Sequence, residues 1–277
     1  LKVNYAFKSK EMYWYLNGIR QSVHHFPRVS LHFWGFHLPG VKEYGIELEK
    51  KWNKVYGRTP THIFKTGFYS QPEYDEKRSE PLGYDAYGKI AVGYFSWGSG
   101  LGNFSFNLNN SSTLGNLSTW KFNRLTLSGD FRESKKIGPF SIKYKQRVIA
   151  GKIWAGNKSV PGQEGYNIEG NSSNDLIRKN YLVDQFYGIN GLFSQYHMPG
   201  EGNIRAFVGT GVPGAEALFS SSTELSLFNS IPKTNIGLEL SSFCDGGVFF
   251  DSTSKKRILG DAGLGIRFNT TLLEKNF

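Results

Sequence analysis

Several features that would place this 277-residue chain in a common class of protein are scarce or missing. Its one cysteine, Cys244, excludes an intramolecular disulfide and any metal site built from cysteine ligands. There is no run of about 20 apolar residues, which a helix needs to cross a bilayer. The chain is therefore neither a disulfide-stapled scaffold nor a helical membrane protein.

The signatures of common catalytic sites are also missing. The sequence has no His-Glu-x-x-His zinc-peptidase motif, no Gly-x-Ser-x-Gly nucleophile elbow and no glycine-rich phosphate loop ahead of a helix. Asp245, Asp251 and Asp261 lie close in sequence, but at expected strand ends and turns, where aspartate usually caps or hydrates the backbone. We therefore expect neither a catalytic centre nor a cofactor in this chain.

Histidine is concentrated near the N-terminus, at His24, His25, His32 and His37. A metal site there would also need carboxylates or further imidazoles at a compatible geometry. We favour an aromatic-rich rim that contains a few histidines, and we expect no metal.

The net charge of +10 raises the question of a nucleic-acid partner. The lysines and arginines are, however, scattered singly through alternating segments such as residues 141–145, and they do not form one patch. A basic interior and basic rims that face anionic lipid headgroups explain the charge equally well. We therefore expect the lipid and lipopolysaccharide of an outer membrane as partners, and no nucleic acid.

What the sequence does have is strict alternation of apolar and polar side chains. In the stretch 261–268, the apolar residues fall on every second position and point to one side of an extended strand. Such a strand separates two environments. In a soluble sandwich the apolar faces meet in a core, whereas in a transmembrane barrel they face lipid and the polar faces line a wet interior.

Strand length and composition favour the membrane barrel. Residues 117–134, 140–154 and 220–229 form extended segments of roughly 10 to 17 residues, while globular strands have about 5 to 6. The 22 Phe, 15 Tyr, 6 Trp and 33 Gly, with a mean hydropathy of −0.41, suit lipid-facing residues that alternate with polar lumenal ones. We predict one domain over residues 1–277, an all-β antiparallel transmembrane β-barrel of about 12 strands.

The pattern also predicts where strands, turns and loops fall. Residues 12–16 indicate either a girdle strand or a short packed helix, and we favour the strand. Hairpin turns are predicted at residues 99–102 and 133–138. A loop of about 26 residues, 155–180, is long enough to indicate a function, and long barrel loops are extracellular. Residues 181–196 and 203–211 are predicted to continue the series of strands.

The C-terminal half of the chain resembles the surface-antigen type of outer-membrane barrel, the superfamily of BamA and the two-partner-secretion transporters. One segment is similar to the family's strand with an inward glutamate, a second to its aromatic-x-Asp-x-Gly-x-Val segment, and a third to its closing strand. These segments are residues 219–225, 243–248 and 261–268.

This resemblance implies contacts between the long loop and the barrel wall. In that family the loop folds back into the lumen with an Arg-Gly motif, for which the candidate here is Arg178; a lysine stands where the family has the glycine. The lumenal contacts implied on the wall are Glu224, Glu239, Asp245 and Arg267.

A shorter stretch, residues 181–188, resembles one branch of barrels. These are the C-terminal barrels of large Bacteroidota proteins whose N-terminal part is an M1-type metallopeptidase. The resemblance implies that the chain is the C-terminal part of a longer protein, and that the barrel anchors a peptidase domain that lies upstream.

Three functions follow from these patterns. The leading one is a Gram-negative outer-membrane barrel that serves as a membrane anchor or as an assembly or translocation scaffold, with a protein partner in a membrane complex. A polypeptide or solute pore of the two-partner-secretion type would use the same barrel and conduct ions. A soluble β-sandwich binding module would instead bury its aromatic rows between two sheets.

Overall fold

The computed structural model describes residues 2–6, 11–21, 29–38, 41–52, 62–74, 89–156, 160, 164–166, 204, 215–230, 236–251 and 255–270. In these ranges the chain forms one antiparallel sheet of twelve strands, and each strand pairs with its neighbours in sequence. The predicted all-β antiparallel architecture is confirmed, with about the expected number of strands. The strands are β1 (Lys2–Ala6), β2 (Glu11–Gln21), β3 (Val29–Leu38), β4 (Val41–Trp52), β5 (His62–Tyr74), β6 (Ile90–Leu101), β7 (Phe104–Thr113), β8 (Phe122–Ile137), β9 (Phe140–Ala155), β10 (Ala217–Ser230), β11 (Ile236–Phe250) and β12 (Lys256–Thr270).

Most of these strands are long. The shortest from β2 onwards have 10 residues, and β8 and β9 have 16. A tilted strand needs about 9 to 11 residues to cross a bilayer, so every strand after β1 is long enough. Residues 12–16 lie in β2, which confirms the strand interpretation over the helix. Among the described residues, no helix has the length and apolar character to span a membrane.

The prediction of one extended segment over residues 117–134 is confirmed for residues 122–134, which lie in β8, and was wrong for residues 117–121. Gly115–Leu117 is a turn of 3-10 helix, and β8 begins only at Phe122. Gly115 has a φ of 45°, a left-handed backbone conformation that glycine adopts without the steric cost a side chain adds. The alternation of apolar and polar residues in the sequence does not indicate where the chain makes such a turn.

The two predicted hairpin turns are shorter than expected. β6 continues to Leu101 and β8 to Ile137, and the turns contain Gly102 and Gly138, with φ of 60° and 58°. Two-residue hairpin turns need positive φ, which these glycines supply. The charged residues Glu133, Lys135 and Lys136 belong to β8, and they are exposed, so their charges remain in contact with water.

Residues 156–216 stand between β9 and β10 in sequence, and we call them the long connection; the structure describes only residues 156, 160, 164–166, 204, 215 and 216 of it. β9 pairs directly with β10. The segments 181–196 and 203–211 are predicted as further strands. Apart from Ile204 they lie outside the described residues.

The two faces of the sheet differ in polarity. We call the face that packs against Tyr166 the inner face, and the opposite one the outer face. Large apolar side chains on the outer face are exposed: Phe33, Tyr44, Ile46, Leu48, Phe95, Trp97, Phe104, Phe106, Leu127, Trp154, Phe219, Leu225, Leu240, Ile258, Leu264 and Ile266. Polar side chains on the inner face are buried: Glu43, Glu49, Gln71, Ser220, Ser222, Ser226, Glu239 and Asp245.

The two ends of the sheet also differ. We call one the long-loop end, because the connections 75–89, 114–121 and 156–216 lie there. We call the other the short-turn end, because it carries the tight turns at Gly102 and Gly138. With antiparallel pairing throughout and an even strand number, the first residue of β1 and the last residue of β12 both lie at the short-turn end.

A hydrophobic cluster fills the inner face near the long-loop end. Its members come from β5, β6, β8, β9, β10 and β11, together with residues 166, 204 and 215 of the long connection and residue 120 before β8. In a flat sheet, β5 and β11 would lie about 29 Å apart, at about 4.8 Å per strand. A shared cluster around one loop segment therefore requires that the sheet curve around its inner face.

Candidate functional site

Tyr166 occupies the inner face and is completely buried. Its backbone pairs with Ala215, and its hydroxyl donates to the Leu125 carbonyl oxygen at 2.6 Å and lies 3.1 Å from Thr126 Oγ1. The Arg124 guanidinium lies over the ring, 4.4 Å from its centroid. The tyrosine of the long connection is thus attached to β8 by hydrogen bonds and a cation–π contact.

A glycine of β9 provides the space for this ring. If Gly151 carried a Cβ, that atom would lie 2.5 Å from Cζ of Tyr166, which is closer than real contacts allow. Glycine in a strand interior often marks such a close approach. The space that the Tyr166 ring occupies therefore depends on the glycine at position 151 of β9.

The same loop segment also contacts a second, distant strand of the inner face. Glu164 is 1% exposed, and its Oε1 accepts a hydrogen bond of 2.6 Å from the Tyr69 hydroxyl on β5. Residues 164–166 therefore bridge β5 to β8 and β9 across the inner face. We call these three residues the plug segment.

A second set of contacts lies on the inner face of β3 to β6. Glu43 accepts hydrogen bonds from Trp34 Nε1 at 2.7 Å and from Gln71 Nε2 at 2.6 Å. Because Glu43 is buried, a carboxylate there is retained only with such donors. These bonds join β3, β4 and β5 near the long-loop end.

Two further glutamates of β4 continue this row towards the short-turn end. Glu47 accepts from the Tyr94 hydroxyl at 2.8 Å and from Lys65 Nζ at 3.0 Å. Glu49 lies 3.2 Å from Lys65 Nζ and 2.6 Å from Lys51 Nζ. This part of the inner face therefore carries acidic side chains that form ion pairs with lysines of β4 and β5.

The wall from β8 to β11 holds three of the residues named from the sequence. Glu224 lies 3.3 Å from Lys145 Nζ, and Glu239 lies 3.5 Å from Lys143 Nζ. Asp245 is buried and accepts a hydrogen bond of 2.6 Å from Ser222 Oγ. All three are on the inner face, and the structure places lysines of β9 against the two glutamates.

The remaining two named residues are described less fully. Arg178 lies outside the described residues. Arg267 is opposite Glu239 in the pairing of β11 with β12, and its side chain is not described. A contact of Arg178 with Glu224, Glu239, Asp245 or Arg267 therefore stays a prediction.

From the sequence, Glu164, Gly165 and Tyr166 are notable only as a stretch of the long loop that precedes the Arg178 candidate. Nothing in the sequence indicated that Glu164 and Tyr166 themselves contact the inner face. The sequence also gave no reason to single out Glu43, Glu47 and Glu49. These glutamates alternate with apolar residues on β4, which indicates that they share one face of the strand. The alternation does not indicate which side chains of other strands they contact.

The outer face carries aromatic residues at two levels. Near the short-turn end, Phe131 lies 4.6 Å from Phe104 and 5.9 Å from Tyr144, measured between ring centroids. Near the long-loop end, Trp154 and Phe219 are exposed. From Tyr144 to Trp154 the strand rises about 33 Å, which at a tilt of about 40° gives a band about 25 Å tall, the height of the apolar band in membrane barrels.

One polar group between these levels has its own partners. Gln146 on the outer face of β9 donates to Ser221 Oγ at 2.7 Å, and its Oε1 accepts from Thr223 Oγ1 at 2.6 Å and from the Tyr144 hydroxyl at 2.9 Å. Mutual hydrogen bonds of this kind lower the cost of polar atoms in an apolar environment.

Comparison with solved structures finds a similar fold. The crystal structure of BamA from Haemophilus ducreyi lacking POTRA domains 1–3 matches with a TM-score of 0.50 and 13% sequence identity. The match covers 92% of this chain and 55% of that one, so the chain spans about half the length of the BamA structure. At this identity the similarity concerns the fold. No protein-family model and no curated protein sequence matches the chain.

Proposed function

We propose that the chain is a β-barrel of a bacterial outer membrane, with lipid against its outer face and the plug segment in its interior, that serves as a membrane anchor or assembly scaffold. The observation that carries this proposal is the burial pattern: large apolar side chains are exposed, and carboxylates are buried. Extended exposed apolar surface of this kind indicates a membrane or a protein interface. Similarity of fold to a BamA barrel supports the same reading.

Closure of the sheet is part of the proposal. β1 and β12 are the two edge strands of the described sheet, and an open edge in lipid would leave backbone groups without hydrogen bonds. Pairing of β1 with β12 would remove both edges. The curvature required by the hydrophobic cluster and the even strand number support this arrangement.

The soluble sandwich accounts poorly for the same observations. A sandwich places the apolar faces of two sheets against each other, and its core is buried. Here the described strands form one sheet, and Phe219, Leu264 and Ile266 of its apolar face are exposed. Hydrocarbon is the environment that suits such a face.

An open pore is disfavoured by the plug segment. Residues 164–166 and Ile204 pack into the inner face near the long-loop end, where the surrounding wall is apolar. A barrel of about 12 strands has a narrower interior than porins of 16 to 18 strands, so one inserted segment obstructs more of it. This supports an anchor or scaffold over a solute channel.

The finer expectations remain parts of the proposal. An assembly or translocation role rests on the resemblance of the C-terminal segments to the BamA superfamily. Anchoring of an upstream peptidase rests on the resemblance to Bacteroidota fusion proteins. Lipopolysaccharide and a membrane protein partner are expected on the outer face, and one domain over residues 1–277 is expected.

Brominated lipid tests which face contacts the acyl chains. Bromine atoms on the acyl chains quench tryptophan fluorescence only at short range. We would refold single-tryptophan variants into vesicles of brominated phosphatidylcholine, keeping either Trp97 of the outer face or Trp34 of the inner face. Strong quenching of Trp97 and little quenching of Trp34 are expected.

Trp154 serves as a second outer-face reporter, near the long-loop end. Equal quenching of Trp34 and Trp97 would contradict the assignment of the two faces. Absence of quenching at both Trp97 and Trp154, in a chain that circular dichroism shows to be folded and that stays in solution without detergent, would favour the soluble module.

A further inference from the structure

Three potential metal ligands meet on the inner face of β3 and β4. His32, Glu47 and Glu49 each offer one ligand atom, and these atoms all lie within 4.8 Å of one another. His32 is directly opposite Glu47 in the strand pairing, so the sheet holds the imidazole and the carboxylate side by side. We call these three residues the β3–β4 cluster. From the sequence we expected no metal, because the histidines would need carboxylates or further imidazoles at a compatible geometry. Glu47 and Glu49 of β4 are carboxylates that lie beside His32.

The hydrogen bonds of the cluster account for the carboxylates but not for the imidazole. Lys65 and Tyr94 bind Glu47, and Lys51 and Lys65 bind Glu49. His32 Nε2 is buried and has no hydrogen-bond partner among the described residues. It faces Glu49 Oε1 at 3.8 Å, which is beyond hydrogen-bond distance. The ion pairs of Glu47 and Glu49 with the two lysines therefore do not explain why His32 Nε2 is buried beside them.

We propose that the β3–β4 cluster binds a divalent transition-metal ion such as Zn²⁺, in exchange for the ammonium groups of Lys51 and Lys65. One imidazole nitrogen and two carboxylate oxygens form a donor set that zinc accepts, with water to complete the coordination. Two ammonium groups and one divalent ion carry the same charge, so the exchange leaves the two carboxylates neutralised.

The geometry permits this exchange. Ligand atoms about 2.0 Å from a tetrahedral zinc ion lie about 3.3 Å apart, so the 3.8 Å between His32 Nε2 and Glu49 Oε1 has to shorten by about half an ångström. All three ligand atoms lie within 4.8 Å of one another, so no pair has to shorten by more than about 1.5 Å, which side-chain rotation of the two glutamates can supply. The side chains of Lys51 and Lys65 are 47% and 35% exposed, and they can move into water. The cluster lies towards the short-turn end, away from the plug segment. A bound ion would tie β3 to β4.

Calorimetric titration with ZnCl₂ of the whole chain, refolded in detergent micelles, tests the proposal. We expect one ion per chain, and an affinity that falls by at least about tenfold in His32→Gln. Lys65→Met is expected to bind several-fold more tightly, because the competing ammonium is gone. His62→Gln is the matched control, since His62 also has a buried ring nitrogen without a partner but lies outside the cluster; its affinity should equal that of the parent chain.

Co²⁺ provides a second readout. Visible d–d absorption on Co²⁺ addition should appear in the parent chain and in Lys65→Met, and should be lost in His32→Gln. Lack of Zn²⁺ binding at millimolar concentration would overturn the proposal, as would an affinity that His32→Gln leaves unchanged. If His32→Gln does not fold, an affinity in Lys65→Met no higher than in the parent chain overturns it. None of these outcomes depends on insertion into a membrane.

Discussion

At the scale of single residues, the interior is organised by groups that satisfy one another. The Tyr166 hydroxyl is completely buried, and burial of a hydroxyl without a partner costs about 1 to 3 kcal/mol. Its bonds to the Leu125 carbonyl and Thr126 remove that cost. The absence of a side chain at Gly151 is equally necessary, because the ring lies where a Cβ would be.

Gly151→Ala is therefore expected to destabilise the folded chain by about 1 to 3 kcal/mol, because the new methyl group displaces the Tyr166 ring. The measurement is urea unfolding in lipid vesicles, followed by tryptophan fluorescence. Gly129→Ala is the control: it is also a strand glycine, but a Cβ there would meet its nearest atom, the Ser105 carbonyl oxygen, at 4.0 Å.

The double variant Gly151→Ala with Tyr166→Ala identifies the cause. If the ring is the obstacle, the cost of Gly151→Ala should nearly vanish once the ring is removed, so that the two changes are strongly non-additive. Simple additivity, or equal costs for Gly151→Ala and Gly129→Ala, would show that the contact does not determine the effect.

At the scale of elements, the plug segment is the part of the long connection that joins distant strands. Glu164 is bound to Tyr69 of β5, 95 residues away in sequence, and Tyr166 is bound to β8. Among the described residues, its backbone pairs with Ala215 through Tyr166. The side chains of Glu164 and Tyr166 add the contacts to β5 and β8.

Replacement of residues 164–166 by three glycines should raise single-channel conductance in planar bilayers well above that of the parent chain, for which we expect little or none. The reason is that the three glycines cannot reproduce the bonds of Glu164 and Tyr166 or fill their volume. Three glycines in place of Gly115–Leu117, an exposed turn at the same end, are the matched control and should leave conductance unchanged.

Two results would count against this account. High conductance of the parent chain would favour the transport pore. A glycine-substituted plug segment that conducts no more than the parent chain, while retaining its β-sheet circular dichroism, would mean that other parts of the interior close it.

At the scale of the whole molecule, the outer face decides between water and lipid. Leu264 lies near the middle of β12 and is 87% exposed, whereas Leu117 is 65% exposed in the turn between β7 and β8. In water both leucines would be similar surface positions. In a membrane, Leu264 faces the hydrocarbon and Leu117 lies beyond it.

Leu264→Arg is accordingly expected to destabilise the chain in vesicles by about 2 to 4 kcal/mol, the cost of arginine at the bilayer midplane of a barrel. Leu117→Arg makes the same chemical change and should shift stability by no more than about 0.5 kcal/mol. Urea unfolding of both variants in vesicles measures the difference. Equal, small effects would indicate that water surrounds the outer face.

Prediction from sequence succeeded where the information is local. The alternation of residues 261–268 assigned side chains to two faces, and the strand at residues 12–16 was identified correctly. Prediction failed at strand ends. The charged residues Glu133, Lys135 and Lys136 belong to β8 instead of a turn, because an exposed strand tolerates charge, and the turn at Gly138 needs two residues only.

The lumenal contacts named from the sequence stay a prediction, because Arg178 lies outside the described residues. Glu224, Glu239 and Asp245 lie on the inner face, and each has a partner there that the sequence did not indicate. Their partners Lys145, Lys143 and Ser222 come from neighbouring strands, and only the register of those strands determines which side chains meet. Register is a property of the assembled sheet.

The sequence by itself determined that this chain makes long strands with one apolar and one polar face, because alternate side chains of an extended chain must point to opposite sides. Tertiary structure alone decided which groups meet on the polar face: Tyr69 with Glu164, Tyr166 over Gly151, and His32 beside Glu47 and Glu49. The first two contacts exist only once the sheet has curved and the long connection has returned to it, and the third depends on the register of β3 with β4.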